Sequence, residues 1–302
     1  MPAATLGMVG LGRMGWGMTQ RIRRAGLDVV GYDRSPEHAD VGSLEELVAA
    51  LPSPRVVWVM LPAGAPTQET LDALLGLLAE GDVVVEGGNS NFRDSIARGK
   101  AFAERGVGYV DAGVSGGVWG LAEGFCLMVG GTDEAVAAAQ PFFDALAPEG
   151  GFVHAGEAGA GHFTKMVHNG IEYGLMQAYA EGFELMEAAD LRIDVPATFA
   201  AWRYGSVVRS WLLELMVRAL ETDPGLEKVR GYAEDSGEGR WTVNEAVRAA
   251  VPLPVISAAL FARFASRQDE SIAMKVIATL RNQFGGHAVL PETGEPRGNV
   301  AD

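Results

Sequence analysis

A single cysteine, Cys126, stands among 302 residues, so no intrachain disulfide can form. It lies in Phe125-Cys126-Leu127-Met128-Val129, where a small buried hydrophobe is expected rather than a nucleophile. No apolar run approaches the roughly 18–20 residues that cross a bilayer. No basic stretch precedes the first apolar run, Thr5–Val9, so an export signal is not expected and the cytoplasm is the expected compartment. No cluster of His, Asp and Cys has metal-ligand spacing, so no metal is expected. Positive charge is scarce, with 24 Lys and Arg against 39 Asp and Glu and a net charge of −15. That balance repels nucleic acid and anionic membranes, and neither is expected as a partner. It also repels an anionic substrate, unless the few cationic side chains converge on the site.

What is present fits a soluble α/β enzyme: 48% hydrophobic residues, 21% charged residues and 40 glycines, in a chain long enough for about two domains. Apolar, β-branched runs recur at 6–9, 29–32, 56–61, 83–85, 109–110, 125–129 and 152–153. Helical patterns such as 13–25, 44–51 and 66–78 separate most of them. Strands alternating with helices of this length predict parallel pairing in a Rossmann-type doubly wound sheet. From Ala160 onward strand patterns cease, and helical stretches are expected at 161–189, 196–219, 242–251, 255–264 and 270–283. The expected organisation is therefore a dinucleotide-binding domain over 1–160 and an all-helical domain over 161–287. A Pro/Gly/Glu-rich tail, expected to be flexible, follows over 288–302.

The first strand-to-helix turn reads Gly10-Leu11-Gly12-Arg13-Met14-Gly15, a G-x-G-x-x-G sequence in the strand–turn–helix context that gives it meaning. Its glycines make the tight turn, let the backbone approach a pyrophosphate, and let helix and strand pack closely. Asp33 closes the second strand, where a carboxylate accepts hydrogen bonds from the adenosine ribose and repels a 2′-phosphate. Arg34 beside it could attract that phosphate, but the closer carboxylate should prevail, so NAD is expected over NADP. Three further loops fall at strand ends, where open α/β sheets bind ligands. They are Leu61-Pro62-Ala63, expected beneath the cofactor; Gly87-Gly88-Asn89-Ser90; and Ser115-Gly116-Gly117.

The segment Gly161–Tyr173 is the most informative of the chain. On a helix, Lys165, His168, Asn169 and Glu172 fall at i, i+3, i+4 and i+7, one polar stripe on an otherwise apolar element. It stacks a potential base, a potential acid and two hydrogen-bonding groups. Read alone, the stripe fits equally a satisfied polar seam between packed helices; the dinucleotide fingerprint upstream favours a catalytic face.

These motifs, with Glu86-Gly-Gly-Asn-Ser90 and Gly239-Arg-Trp-Thr242, resemble the decarboxylating 6-phosphogluconate dehydrogenases of the β-hydroxyacid dehydrogenase superfamily. The resemblance spans nearly the whole chain. It is closest at Lys165–Tyr173, where relatives that oxidise simple 3-hydroxy acids tend to carry paired asparagines. It implies that Lys165 and Glu172 are catalytic, and that Asn89, Ser115, Gly116, Gly117, His168, Asn169 and Tyr173 contact a sugar-phosphate acid. Arg263 resembles a phosphate ligand. Arg281 and His287 resemble a C-terminal segment that enters a neighbouring subunit's site, which implies a homodimer or homotetramer. Asn89 is also expected to touch the cofactor.

The chain resembles the shorter, often NAD-linked branch and departs from the longer members at Asp235–Gly239. Those members carry a phosphate-binding lysine there; this chain has none, and Glu238 has the opposite charge. Two other readings use the same residues: a β-hydroxyacid dehydrogenase that does not decarboxylate, and a dinucleotide-sensing protein without turnover.

Overall fold

The computed structural model describes residues 4–285 and 289. By residue contacts the chain forms two compact units, Met1–Leu175 with Gly237–Ile256, and Met176–Ser236 with Ser257–Asp302. The first unit is built on strands β1 (Thr5–Val9), β2 (Asp28–Tyr32), β3 (Val56–Val59), β4 (Val83–Glu86), β5 (Gly108–Ser115), β6 (Cys126–Gly131) and β7 (Phe152–Gly156). Helices α1 (Arg13–Arg24), α2 (Leu44–Ala50), α3 (Ala65–Leu77), α4 (Phe92–Ala103), α5 (Gly120–Glu123) and α6 (Asp133–Leu146) connect them. Helix α7 (Ala160–Glu187) runs out of this unit into the second one.

The sheet order is β2-β1-β3-β4-β5-β6-β7, a doubly wound arrangement. Its pairing departs from the all-parallel expectation at one place, since β5 and β6 run antiparallel. The passage 116–125 between them is too short for a parallel crossover, which needs a dozen or more residues. Beyond it, α6 provides such a crossover, and β7 lies parallel to β6.

Period-two alternation places the core on both faces. In β3, Val56 and Trp58 join one cluster with Met8, Ile22 and Phe143; Val57 and Val59 join the other with Leu47, Leu74 and Phe102. All four β3 residues are buried, as a central strand covered on both faces requires. Full burial of such side chains contributes about 1.5–3 kcal/mol each.

Side-chain caps start several helices. Ser43 accepts from Glu46 N, Thr132 from Ala135 N and Asn91 from Arg93 N. Cys126 corrects the sequence expectation: it is exposed at the first position of β6, while Leu127 beside it is fully buried. Its place at the end of the strand decides its environment: pairing of β6 with β7 begins only at Leu127, and every later residue of β6 is buried.

The second unit holds α8 (Val195–Trp202) and α9 (Trp211–Thr222); helices α10 (Glu238–Ala249), α11 (Pro254–Ala265) and α12 (Ile272–Gly285) follow in the chain, with α10 belonging to the first unit. The single helix expected over 196–219 is broken in two. Gly205 adopts φ +71°, and the Ser210 side chain caps α9 by accepting from Leu213 N. Val195, Phe199, Leu213, Val217 and Leu220 form this unit's core, flanked by Tyr179, Phe183 and Met186 of α7. Among the described residues, no helix is long and apolar enough to cross a membrane.

Candidate active site

The glycine turn is shaped for a dinucleotide. Gly10 has φ +93°, and a Cβ there would lie 2.4 Å from Met60 O; one on Gly15 would lie 1.9 Å from Gly10 O. A Cβ on Gly12, by contrast, would meet no atom within 4 Å, so the backbone is open where a pyrophosphate would approach. Gly12 and Arg13, which opens α1, are exposed; Met14 packs partly against the core, and Leu11 is buried. Asp33 is fixed at the end of β2: Oδ2 accepts from Leu11 N at 2.6 Å and Oδ1 from Ser35 N at 2.8 Å. A cleft of about 290 Å³ opens beside it, lined by Leu11, Gly12, Arg13, Trp16, Asp33, Ser35, Glu37 and His38. Arg34 is exposed and does not line it. Leu61, Pro62 and Ala63 form the turn from β3 to α3, where Thr67 Oγ1 donates to Pro62 O at 2.9 Å. The turn, the open backbone and the fixed carboxylate together fit a dinucleotide.

At the same sheet edge, Asn89 adopts φ +52°, a left-handed conformation that asparagine tolerates better than most residues. Its side chain is doubly tied to β5: Oδ1 accepts from Val114 N at 3.0 Å and Nδ2 donates to Val114 O at 3.2 Å. Gly116 and Gly117, both with positive φ, turn the chain out of β5 immediately after Ser115.

Helix α7 begins under control of the sheet. The buried Asp111 of β5 accepts from Gly159 N at 2.6 Å through Oδ1 and from His162 N at 2.7 Å through Oδ2. Burial raises the pKa of this carboxyl, and the neighbouring His162 and the two amide donors oppose that rise. Beneath it lies a second buried polar group. Glu86 pairs with Arg98 at 3.1 Å, accepts from Gly88 N at 2.8 Å and Ser90 Oγ at 3.2 Å, and lies 3.5 Å from His162 Nδ1. This network joins the Asn89 loop to the start of α7.

One turn further on, the predicted stripe is assembled. Lys165 is buried, with α7 so close to β5 that a Cβ on Gly113 would lie 2.5 Å from Lys165 Cβ. Lys165 Nζ donates to Asn169 Oδ1, which lies 2.9 Å from His168 Nδ1. His168 Nε2 reaches Ser115 Oγ at 3.5 Å, and its Nδ1 lies 3.9 Å from Glu172 Oε2. Tyr173 is buried against Gly239. Burial holds the Lys165 ammonium below the ordinary lysine range, and the negative charge of Glu238 and Glu172 opposes that fall. The first unit thus brings together Asn89, Ser115, Gly116, Gly117, Lys165, His168, Asn169, Glu172 and Tyr173.

Glu238 belongs with them. Expected only as a misplaced charge in a phosphate loop, it is buried at the first turn of α10 and accepts from Asn169 Nδ2. Asp111 had no local signal either, since its partners Gly159 and His162 are distant in sequence. Glu86 lay in the Glu86–Ser90 motif, but nothing in the sequence marked Arg98 as its partner. Arg263 and Arg281 lie in the second unit. Arg263 Nη1 donates to Glu234 O at 2.9 Å, and Arg281 is exposed on α12. His287 lies outside the described residues.

Comparison with known proteins agrees with this geometry. Residues 5–156 match the model of the NAD binding domain of 6-phosphogluconate dehydrogenase, and residues 161–289 that of its C-terminal domain. The NAD(+)-dependent, decarboxylating 6-phosphogluconate dehydrogenase of Haloferax volcanii is 43% identical, over 94% of this chain and 98% of its own. The decarboxylating 6-phosphogluconate dehydrogenase of Lactococcus lactis subsp. lactis is 36% identical over 95% of this chain but only 66% of its own. Among solved structures, the 6-phosphogluconate dehydrogenase of Plasmodium falciparum superposes with a TM-score of 0.81 at 27% identity, covering 96% of this chain and 67% of its own. With a glycine-rich dinucleotide turn, a lysine buried at the sheet edge and both halves of the chain matched, this protein belongs to the 6-phosphogluconate dehydrogenase family.

Proposed function

We propose that this chain oxidises 6-phosphogluconate with NAD and releases CO2, leaving ribulose 5-phosphate, in the cytoplasm. The observation that carries the reading is Lys165, a buried amine at the sheet edge whose burial favours the neutral form that a general base needs. NAD, when bound, supplies the hydride acceptor; Gly10, Leu11, Gly12, Arg13, Met14, Gly15 and Asp33 would hold it, with Leu61, Pro62, Ala63 and Asn89 at its flank.

The chain's own residues do the rest. Lys165 Nζ takes the proton of the C3 hydroxyl as the C3–H bond breaks. The resulting 3-keto acid is a β-keto acid, and the protonated Lys165 polarises its carbonyl while the C1–C2 bond breaks and CO2 leaves. The electron pair of that bond becomes an enediol, and Glu172 donates the proton that converts it to the ketose. Asn89, Ser115, Gly116, Gly117, His168, Asn169 and Tyr173 orient the sugar acid. Arg263, Arg281 and His287 supply positive charge for its phosphate, offsetting the chain's overall acidity.

The reading extends to a homodimer or homotetramer whose sites are completed by a neighbour's C-terminal segment. It is supported by α12, which exposes Ile272, Met274, Val276, Ile277 and Leu280, an apolar surface that a symmetry mate would cover. The test is a panel of 6-phosphogluconate, gluconate and simple 3-hydroxy acids with NAD and NADP, followed by absorbance of the reduced cofactor. Preference for 6-phosphogluconate with NAD is expected; preference for an unphosphorylated acid would overturn the substrate assignment.

A further inference from the structure

We propose that Glu238 is a positioning residue for the general base: its carboxylate fixes the Asn169 amide and places a counter-charge against Lys165 across it. The argument begins with how α10 is seated. Gly237, with φ +93°, turns the chain into α10, so Glu238 occupies its first turn, where a carboxylate meets the positive end of the helix. Thr242 Oγ1 lies 2.9 Å from Met166 O and 2.8 Å from Glu238 O, and a Cβ on Gly239 would lie 2.6 Å from the Tyr173 ring. Helix α10 is thereby docked on the stretch of α7 that carries Lys165.

Only 7% of the Glu238 surface is exposed, and a buried carboxylate requires partners. One of them is Asn169 Nδ2, and the opposite end of the same amide, Oδ1, accepts from Lys165 Nζ. An amide has one acceptor end and one donor end, so the carboxylate decides which end faces the lysine. With the amide reversed, its NH2 would confront the ammonium. The groups acting on Lys165 are Glu238 from α10, Glu172 from α7 and Cys126 from β6, while His168 shares the Asn169 oxygen and lies 3.9 Å from Glu172. Glu238 is the largest of the charges that favour the ammonium there. It tempers the effect of burial, so that Lys165 keeps a proton to return after hydride leaves.

The inference rests on the reading of Lys165 as base, but its test does not need turnover. The chain has four lysines, and Lys100, Lys228 and Lys275 serve as internal standards. Competitive reductive methylation of the intact protein over a pH series, read peptide by peptide by mass spectrometry, gives the titration midpoint of each. In Glu238→Gln, which keeps an oxygen for Asn169 Nδ2 and removes the charge, the Lys165 midpoint should fall by about one pH unit while the standards stay put. In Glu238→Asp, which keeps the charge, it should stay nearer the wild-type value. An unmoved Lys165 in Glu238→Gln overturns the proposal, as does an equal fall in both variants, which would make shape rather than charge responsible. The acidic limb of kcat/KM for 6-phosphogluconate should move with the midpoint. If no substrate turns over while the midpoint still moves, the enzymatic reading fails and the placement of Glu238 stands.

Discussion

At Lys165 two physical effects oppose each other: burial disfavours the ammonium, and the carboxylates of Glu238 and Glu172 favour it. Burial prevails, and the pKa lies below that of a free lysine. A base acts only when deprotonated, so kcat/KM should rise with pH through a midpoint below the ordinary lysine range. A pH–rate profile whose acidic limb lies at or above that range would contradict this. Lys165→Met should cost about 10²–10⁴-fold in oxidation. NAD affinity, measured by fluorescence titration, should stay within a few fold, because the glycine turn is a separate structure. Retention of more than about a tenth of the rate would remove Lys165 from the role of base. At Asp33 the carboxylate, tied to Leu11 N and Ser35 N, is fixed beside the cleft. Asp33→Ser should therefore raise the NADP-to-NAD ratio of kcat/KM, since the repulsive charge goes while Arg34 remains. An unchanged ratio would show that Asp33 does not read the ribose.

Elements matter because they bring distant residues to one place. The Glu86–Arg98 pair is almost fully buried and ties β4 to α4 beneath the Asn89 loop. Arg98→Met would leave the Glu86 carboxylate without its cation, and a loss of about 3–5 kcal/mol in chemical denaturation is expected. The stripe on α7 was legible in the sequence because helical periodicity alone puts Lys165, His168, Asn169 and Glu172 on one face. The glycine turn was legible because its constraints are local. Asp111 and Glu238 were not, because they meet His162 and Asn169 across separations of 51 and 69 residues. No period or spacing reports such contacts. The antiparallel β5–β6 pair and the break at Gly205 were missed for a different reason: apolar pattern carries no strand direction, and Ser210 and Gly205 interrupt an otherwise continuous helical signal.

For the molecule as a whole, the proposed function links assembly and chemistry through the C-terminal segment. If Arg281 serves a neighbour's site, inactive Lys165→Met and inactive Arg281→Ala proteins should regain some activity after subunit exchange, because each mixed dimer can contain one site with both residues intact. Proven exchange without recovery would place each site within a single chain. The central claim, oxidation followed by decarboxylation on one buried lysine, is tested most directly with 6-phosphogluconate carrying ¹³C at C1. Reduced NAD and ¹³CO2 should appear in equal amounts, and both should fall together in Lys165→Met. Reduced NAD formed without ¹³CO2 would contradict the account.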